Sequence, residues 1–370
     1  MKCKSLLAIG LMEATALLTA PQSDANPALM AQVAGQKSHS RQPDVKAMVE
    51  RADKLYSEGK YRDAGAIWQQ ILAIREKGLG PDHPDVAASL NNLAGLLMEQ
   101  GQYAAAEPLY RRSLAINEKA LGPDHPNVAT SLSNMALLLS AQGQYPAAEP
   151  LHRRSLDIRE KALGPHHPDV AGSLNNLALL LKDQGQYAAA EPLYRRSLAI
   201  VKKALGPDHH SVATSLNNLA GLLRAQGQYA AAEPLYRRSL AIREKALGPD
   251  HPNVATSLNN LAGLLRDQGQ YAAAEPLHRR SLAINEKALG PDHPNVSISL
   301  NSLAGLLSDL GQHAAAETLY RRSLAIREKA LGPDHPDLAN SLNSLAGLLR
   351  AQGQYGACLL YTSPSPRDRG

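Results

Sequence analysis

The chain has no phenylalanine, one tryptophan and two cysteines in 370 residues. With aromatics at 4%, any core must be built from aliphatic side chains. Leucine and alanine dominate, which suits close-packed helices and gives strands little to work with. Cys3 and Cys358 stand near the two ends, so everything between them lacks a disulfide, a thiol nucleophile and a cysteine metal site. Neither charge sign prevails: Lys and Arg number 39 against 34 Asp and Glu, a net +5. Spread over a long surface, that bias points to neither nucleic acid nor membrane. No apolar run is long enough to span a bilayer well. The phosphate loop, zinc-protease motif, nucleophile elbow and dinucleotide fingerprint are all missing. These absences leave no catalytic residues, no metal and no cofactor to expect.

What the chain does have is a period. Gly80, Gly122, Gly164, Gly206, Gly248, Gly290 and Gly332 follow one another at intervals of 42 residues. A period of this size means a solenoid, in which each unit packs only on its neighbours. Such a body offers a long surface for binding and no central catalytic pocket.

One unit, residues 84–122, reads as two helices. Pro84 suits a first helical position, and Asp82 and His83 lie where a cap is needed. Val86, Leu90, Leu93 and Leu97 recur at helical spacing as one apolar stripe. Gly101 ends this helix. A second helix is expected from Ala104 to Leu121, with Ala106, Leu109, Tyr110, Ser113 and Leu114 on its apolar side. Pro108 predicts a slight kink or an early 3₁₀ turn. Gly122 stops the helix and Pro123 prevents its restart.

The run Asn91-Asn92-Leu93-Ala94, with Gly101, Tyr103, Ala106-Glu107-Pro108-Leu109, Arg112-Ser113-Leu114, Leu121-Gly122 and Asp124-His125-Pro126, resembles the tetratricopeptide repeat of kinesin light chains, over about residues 45–355. The resemblance implies an all-α, right-handed superhelical solenoid of antiparallel helix pairs. It divides the array of 44–355 into a degenerate first repeat at 44–80, six full repeats over 84–332 and a truncated one at 336–355. Many bacterial proteins reuse this repeat. Residues 1–44 lack the heptad coiled coil of kinesin light chains, so the repeat carries over and the motor role does not.

In such arrays the side of the first helix opposite the buried stripe lines the concave surface, and the resemblance implies that it binds. Here it carries Ala88, Asn91, Asn92, Gly95, Met98 and Glu99. Across units it gives one row of amides at Asn91, Asn175, Asn217, Asn259 and Asn301, and a second at Asn92, Asn134, Asn176, Asn218 and Asn260. An amide offers donor and acceptor together, so the rows suit the main chain of an extended peptide. One row could instead be structural. Lys182, Arg224 and Arg266 make the middle of the groove basic, which favours an acidic segment.

Other repeated residues have duller readings. His83 and its six counterparts to His335 fall one per unit, too far apart to share an ion, and read as loop and cap residues. The Arg-Arg pairs, such as Arg111 and Arg112, lie on the second helix with Glu107 four residues before Arg111. That reads as a salt-bridged outer face, without the aromatics that would stack bases.

The ends read differently from the array. Lys2, Lys4, the apolar stretch Leu6 to Leu18 and Ser23-Asp24-Ala25 read as an export signal over residues 1–25, although Glu13 interrupts it. This implies a periplasmic or extracellular protein, with a cytoplasmic one as the alternative. Residues 26–43 read as a flexible linker. Residues 356–370 depart from the repeat, and Cys358-Leu359-Leu360-Tyr361-Thr362-Ser363 resembles a translated sequencing adapter, so this tail is expected to be non-native. The function expected is a scaffold for protein or peptide partners, with no stable membrane insertion and no nucleic acid. The rivals are the recognition part of a longer enzyme, such as a caspase-like peptidase of the CHAT type, and an RNA-binding array with steep salt dependence.

Overall fold

A computed structural model describes residues 44–332 and 335–353. The export-signal, linker and tail expectations lie outside the described residues. Fifteen α-helices and no strand occur among the described residues. We number them α1 (Val45–Ser57), α2 (Tyr61–Leu79), α3 (Pro84–Glu99), α4 (Tyr103–Leu121), α5 (Pro126–Ala141), α6 (Tyr145–Leu163), α7 (Pro168–Asp183) and α8 (Tyr187–Leu205). Then follow α9 (His210–Ala225), α10 (Tyr229–Leu247), α11 (Pro252–Asp267), α12 (Tyr271–Leu289), α13 (Pro294–Asp309), α14 (His313–Leu331) and α15 (Pro336–Ala351). Odd-numbered helices are the first of each pair and even-numbered helices the second.

Each first helix from α3 onward starts on a histidine, whereas α1 starts on Asp44. The Nδ1 of His83 accepts the N–H of Asp85 at 3.1 Å, and His125 does the same for Asn127 at 3.1 Å. The ring thus does what a serine or aspartate does at other helix starts. Asp82 is not the cap; its carboxylate meets Lys119. Each pair ends on a glycine such as Gly122, at φ 88° and ψ 158°. That region is open essentially to glycine alone, and it differs from the left-handed helical conformation usual at helix ends.

The second helices begin one residue earlier than expected, at Tyr103 in the first full unit, and run as continuous α-helix through Pro108. No 3₁₀ turn forms. Pro108 sits near the helix start, where only one backbone bond is forfeited.

Each first helix from α3 to α13 packs on its own second helix and on the second helix of the preceding unit, and α15 packs on α14. The stripe Val86, Leu90 and Leu93 is buried at 0%, 0% and 5% exposure, and Leu97 packs against it. Ala94, Tyr110, Met135, Leu177, Leu219, Leu261 and Leu306 belong to one apolar seam that runs from α3 to α13. Each fully buried leucine contributes roughly 1.5–3 kcal/mol before entropy is subtracted. Ser113 sits inside the apolar face for a reason that period alone did not supply. Its hydroxyl donates to the carbonyl of Ala87 at 2.8 Å, and Ser155, Ser197, Ser239 and Ser281 repeat the bond in their own units.

The units wind tightly. His293 in the sixth full unit lies 3.2 Å from the carbonyl of Ser57, 236 residues earlier, so at 42 residues per unit one turn takes about five and a half units. First helices therefore surround a narrow interior, and second helices face outward.

Candidate binding groove

The interior is lined by a strip on each first helix. On α7 the strip is Asp169, Gly172, Asn175 with Asn176, Leu179 and Lys182, at helical spacing. The N-terminal halves of five consecutive first helices, α5, α7, α9, α11 and α13, enclose a cavity of about 400 Å³. Thr130, Thr214, Thr256, Asn175 and Asn259 give it hydroxyls and amides, while Val201, Leu205 and Ile298 give it an apolar side. Arg159 lines it as well, donating to Ser173 at 2.7 Å and Thr130 at 3.1 Å. Sequence reading missed the threonines and Arg159. The threonines stand at the same position on α5, α9 and α11, and that recurrence is the signal that marks them.

Further along the same helices, a cleft of about 50 Å³ is lined by Asn176, Asn217, Asn218, Asn260 and Lys182, with Tyr194 and Tyr236 as its floor. Of the amides expected on the inner face, Asn175, Asn176, Asn217, Asn218, Asn259 and Asn260 line one or other of these two openings, and Asn91, Asn92, Asn134 and Asn301 line neither. They are, however, partly engaged with one another. Asn134 donates to Asn91 at 2.9 Å, and Asn260 donates to Asn217 at 2.9 Å. Asn176 reaches Ser133 at 3.5 Å, and Asn259 donates to Ser302 at 3.1 Å. Asn91, Asn217 and Asn260 are buried, whereas Asn92, Asn134, Asn175, Asn176, Asn218, Asn259 and Asn301 are half-buried. Met98, expected on the same open side, lies in the apolar seam. Neighbouring first helices stand close enough for amides to bridge them, so part of the ladder binds the array to itself.

The three cations of the groove differ in what they meet. Arg224 pairs with Asp267 at 2.6 Å and Arg266 with Asp309 at 2.5 Å. Burial works most strongly against each charge, but the paired aspartate and a nearby tyrosine (for Arg266 also Asp267) together outweigh it and hold each guanidinium above its ordinary pKa. Each guanidinium also lies across a glycine. A Cβ on Gly263 would stand 2.8 Å from Arg224, and one on Gly305 would stand 2.7 Å from Arg266. These mid-helix glycines seat an arginine, and the basic middle of the groove is thereby largely neutralised. Lys182 has Ala225 where the others have aspartate, and meets only the adjacent Asp183, at 3.9 Å. Burial pushes its ammonium below the usual lysine range, against the pull of Asp183.

Two histidines replace tyrosines in the groove floor. His152 is 1% exposed and has no hydrogen-bond partner on either ring nitrogen. The Nδ1 of His278 lies 2.8 Å from the amide oxygen of Asn259. Burial, with the nearby arginines, pushes both rings down to about 4, so they are neutral at pH 7. Among the described residues no group of three or more His, Cys, Asp and Glu is placed to hold a metal. No described helix is long and apolar enough to cross a membrane.

Paired helices in tandem, wound around a polar interior, define a helical-repeat scaffold of the kind used in protein–protein interaction. The chain belongs to the tetratricopeptide repeat family: its family model matches residues 85–161, 130–203, 169–245, 211–287, 253–329 and 296–357, and a second tetratricopeptide repeat model matches 55–85. Among solved structures it is similar to a putative kinesin light chain of nearly identical tetratricopeptide-like repeats from Podosopora anserina. That match is 31% identical, covers 55% of this chain and 97% of that chain, and has a TM-score of 0.46. It is also similar to BtubC (BKLC) from P. vanneervenii, 24% identical over 64% of this chain and 92% of that one, with a TM-score of 0.48. The apo form of RapI is 16% identical over 77% of this chain and 98% of its own, with a TM-score of 0.56. Among curated proteins, none matches.

Proposed function

We propose that the protein is an interaction scaffold that receives an extended polypeptide segment of a partner along its inner strip. The observation that carries this is the cavity shared by five consecutive first helices, which sets amides and hydroxyls beside an apolar side. Amides and hydroxyls at helical spacing suit the repeating N–H and C=O groups of a main chain. A largely preformed interior lowers the ordering cost that binding must overcome. Of the three cations that favoured an acidic segment, only Lys182 stays without an aspartate across the groove, because Asp267 and Asp309 occupy Arg224 and Arg266.

The test is selection of peptides from a random displayed library, followed by titration against the protein and against an Asn176→Ala/Asn218→Ala double variant. Neither amide bonds a buried amide of the array, so the variant should fold. We expect selected peptides to bind and to weaken by roughly tenfold in the variant, about 1.4 kcal/mol. Equal affinity for both proteins, or no enriched peptide at all, would remove this reading.

A further inference from the structure

The interior of this array is walled. His293 shows how. Its Nδ1 accepts the N–H of Asn295 at 3.1 Å, which caps α13, and its Nε2 lies 3.2 Å from the carbonyl oxygen of Ser57. A ring that accepts at Nδ1 carries its proton on Nε2, so Nε2 donates to that carbonyl. One unit later the arrangement repeats. His335 accepts from Asp337 at 3.0 Å and reaches the carbonyl of Glu99 at 3.2 Å. Both bonds span 236 residues, so they are one register of contact between successive turns, met twice.

The approach is close at both places. A Cβ on Gly59 would stand 2.7 Å from the ring of Pro294, and one on Gly101 would stand 2.7 Å from the ring of Pro336. Beside them, Leu331 packs into the apolar cluster around Trp68, and the Arg62 guanidinium lies against Gly332. The superhelix thus closes on itself as a lock washer does, with helix starts of one turn seated on helix ends of the turn before.

Closure changes what the inner strip can accept. In an open groove a partner can lay down an internal loop from the side. Here a lateral approach must part the seam, which means giving up hydrogen bonds and close packing at two units together. A free chain end that enters along the axis leaves those inter-turn bonds intact. We propose that the inner strip selects partners that present a free, unfolded chain end, threaded along the superhelix axis, and excludes internal loops. This rests on the proposed reading that the strip binds extended polypeptide. The occupant is a slender tail of mixed character, since hydroxyls and amides such as Thr130, Thr214 and Asn259 face it together with Val201, Leu205 and Ile298.

The experiment takes a dodecapeptide selected from the free-ended library whose binding depends on Asn176 and Asn218. It is then prepared with a small folded domain fused to its N-terminus, to its C-terminus, or to both. Affinity is measured by titration calorimetry with the full chain. Threading predicts that blocking at least one end alone changes Kd by less than roughly threefold, while blocking both weakens binding by on the order of a hundredfold, about 2.7 kcal/mol. If the doubly blocked peptide binds within about threefold of the free one and still responds to Asn176→Ala/Asn218→Ala, threading is wrong and the peptide-binding reading stands. If no peptide responds to those substitutions, both fall together.

Discussion

The outer and inner faces of the array each carry ion pairs between units, five outside and two inside among the described residues, and each has one cation whose partner position holds another residue. On the outer face Arg112 meets Glu76 of the preceding unit at 2.6 Å, and Arg154 meets Glu118, Arg196 meets Glu160, Arg280 meets Glu244 and Arg322 meets Glu286 at 2.6–2.8 Å. In one unit Lys202 stands where the others have glutamate, and Arg238 turns instead to Asp208 at 2.5 Å. On the inner face Ala225 stands where the next units have Asp267 and Asp309, and Lys182 finds only Asp183, at 3.9 Å. The outer break heals because solvent lets a long side chain swing and several carboxylates lie within reach. The inner break does not, because first helices are packed on their neighbours and few groups face the lumen. Redundancy belongs to the wet side of this protein, and a defect inside stays where it is.

The largest test of that contrast is acid. His152 and His278 bind a proton less readily folded than unfolded, with values of about 4 against an ordinary 6.5. The stability they leave intact above pH 6.5 is lost as pH falls towards 4. A drop of about 2.5 units at roughly 1.4 kcal/mol per unit gives about 3 kcal/mol for each. Burial likewise holds the cap histidines His251, His293 and His335 below their usual value, so they act in the same direction. In His152→Leu, urea unfolding at pH 7.5 and 4.5 should show a smaller acid loss than wild type by roughly 2–3 kcal/mol. An unchanged pH dependence would show that His152 already titrates as an exposed histidine.

A smaller test mends the inner rung. Ala225→Asp places a carboxylate where Asp267 stands opposite Arg224. The substitution should raise the pKa of Lys182, read by NMR of its side-chain nitrogen, and add up to about 1 kcal/mol. No movement of the Lys182 titration would mean that the inner register does not extend to this unit.

The smallest effect is expected outside. Arg196→Ala removes the bridge to Glu160 from a surface where Arg195 already pairs with Glu191 at 2.7 Å. Thermal unfolding should register less than about 1 kcal/mol, shrinking further in high salt. A loss as large as that at the inner face would erase the distinction between the two ladders.

Much of this was readable in advance, and the limits were specific. The tandem glycines gave the unit length, and Val86, Leu90 and Leu93 gave the buried stripe. The side of α7 that carries Asn175, Asn176 and Lys182 was identifiable because helical spacing assigns faces. The bonding between units was not read, although a trace of it lies in the numbering. Inner-face partners such as Asn217 and Asn260, or Arg224 and Asp267, stand 43 residues apart, one more than the repeat. Outer partners such as Arg112 and Glu76 stand 36 apart. Those offsets depend on how neighbouring helix pairs cross, which periodicity does not contain. For the same reason the sequence left open that one amide row is structural, whereas the bonds that form join one row to the other, as between Asn134 and Asn91 or Asn260 and Asn217.

Sequence alone determined the helical hairpin, its caps and its apolar seam, because these depend on residues near one another in the chain and on a stripe that any stacking must bury. Whether stacking leaves an open trough or a closed washer depends on the small rotation between units, summed over more than five of them. A slight change per step would carry His293 past Ser57 altogether. That sum is a property of packing in three dimensions, and only the tertiary structure decided it.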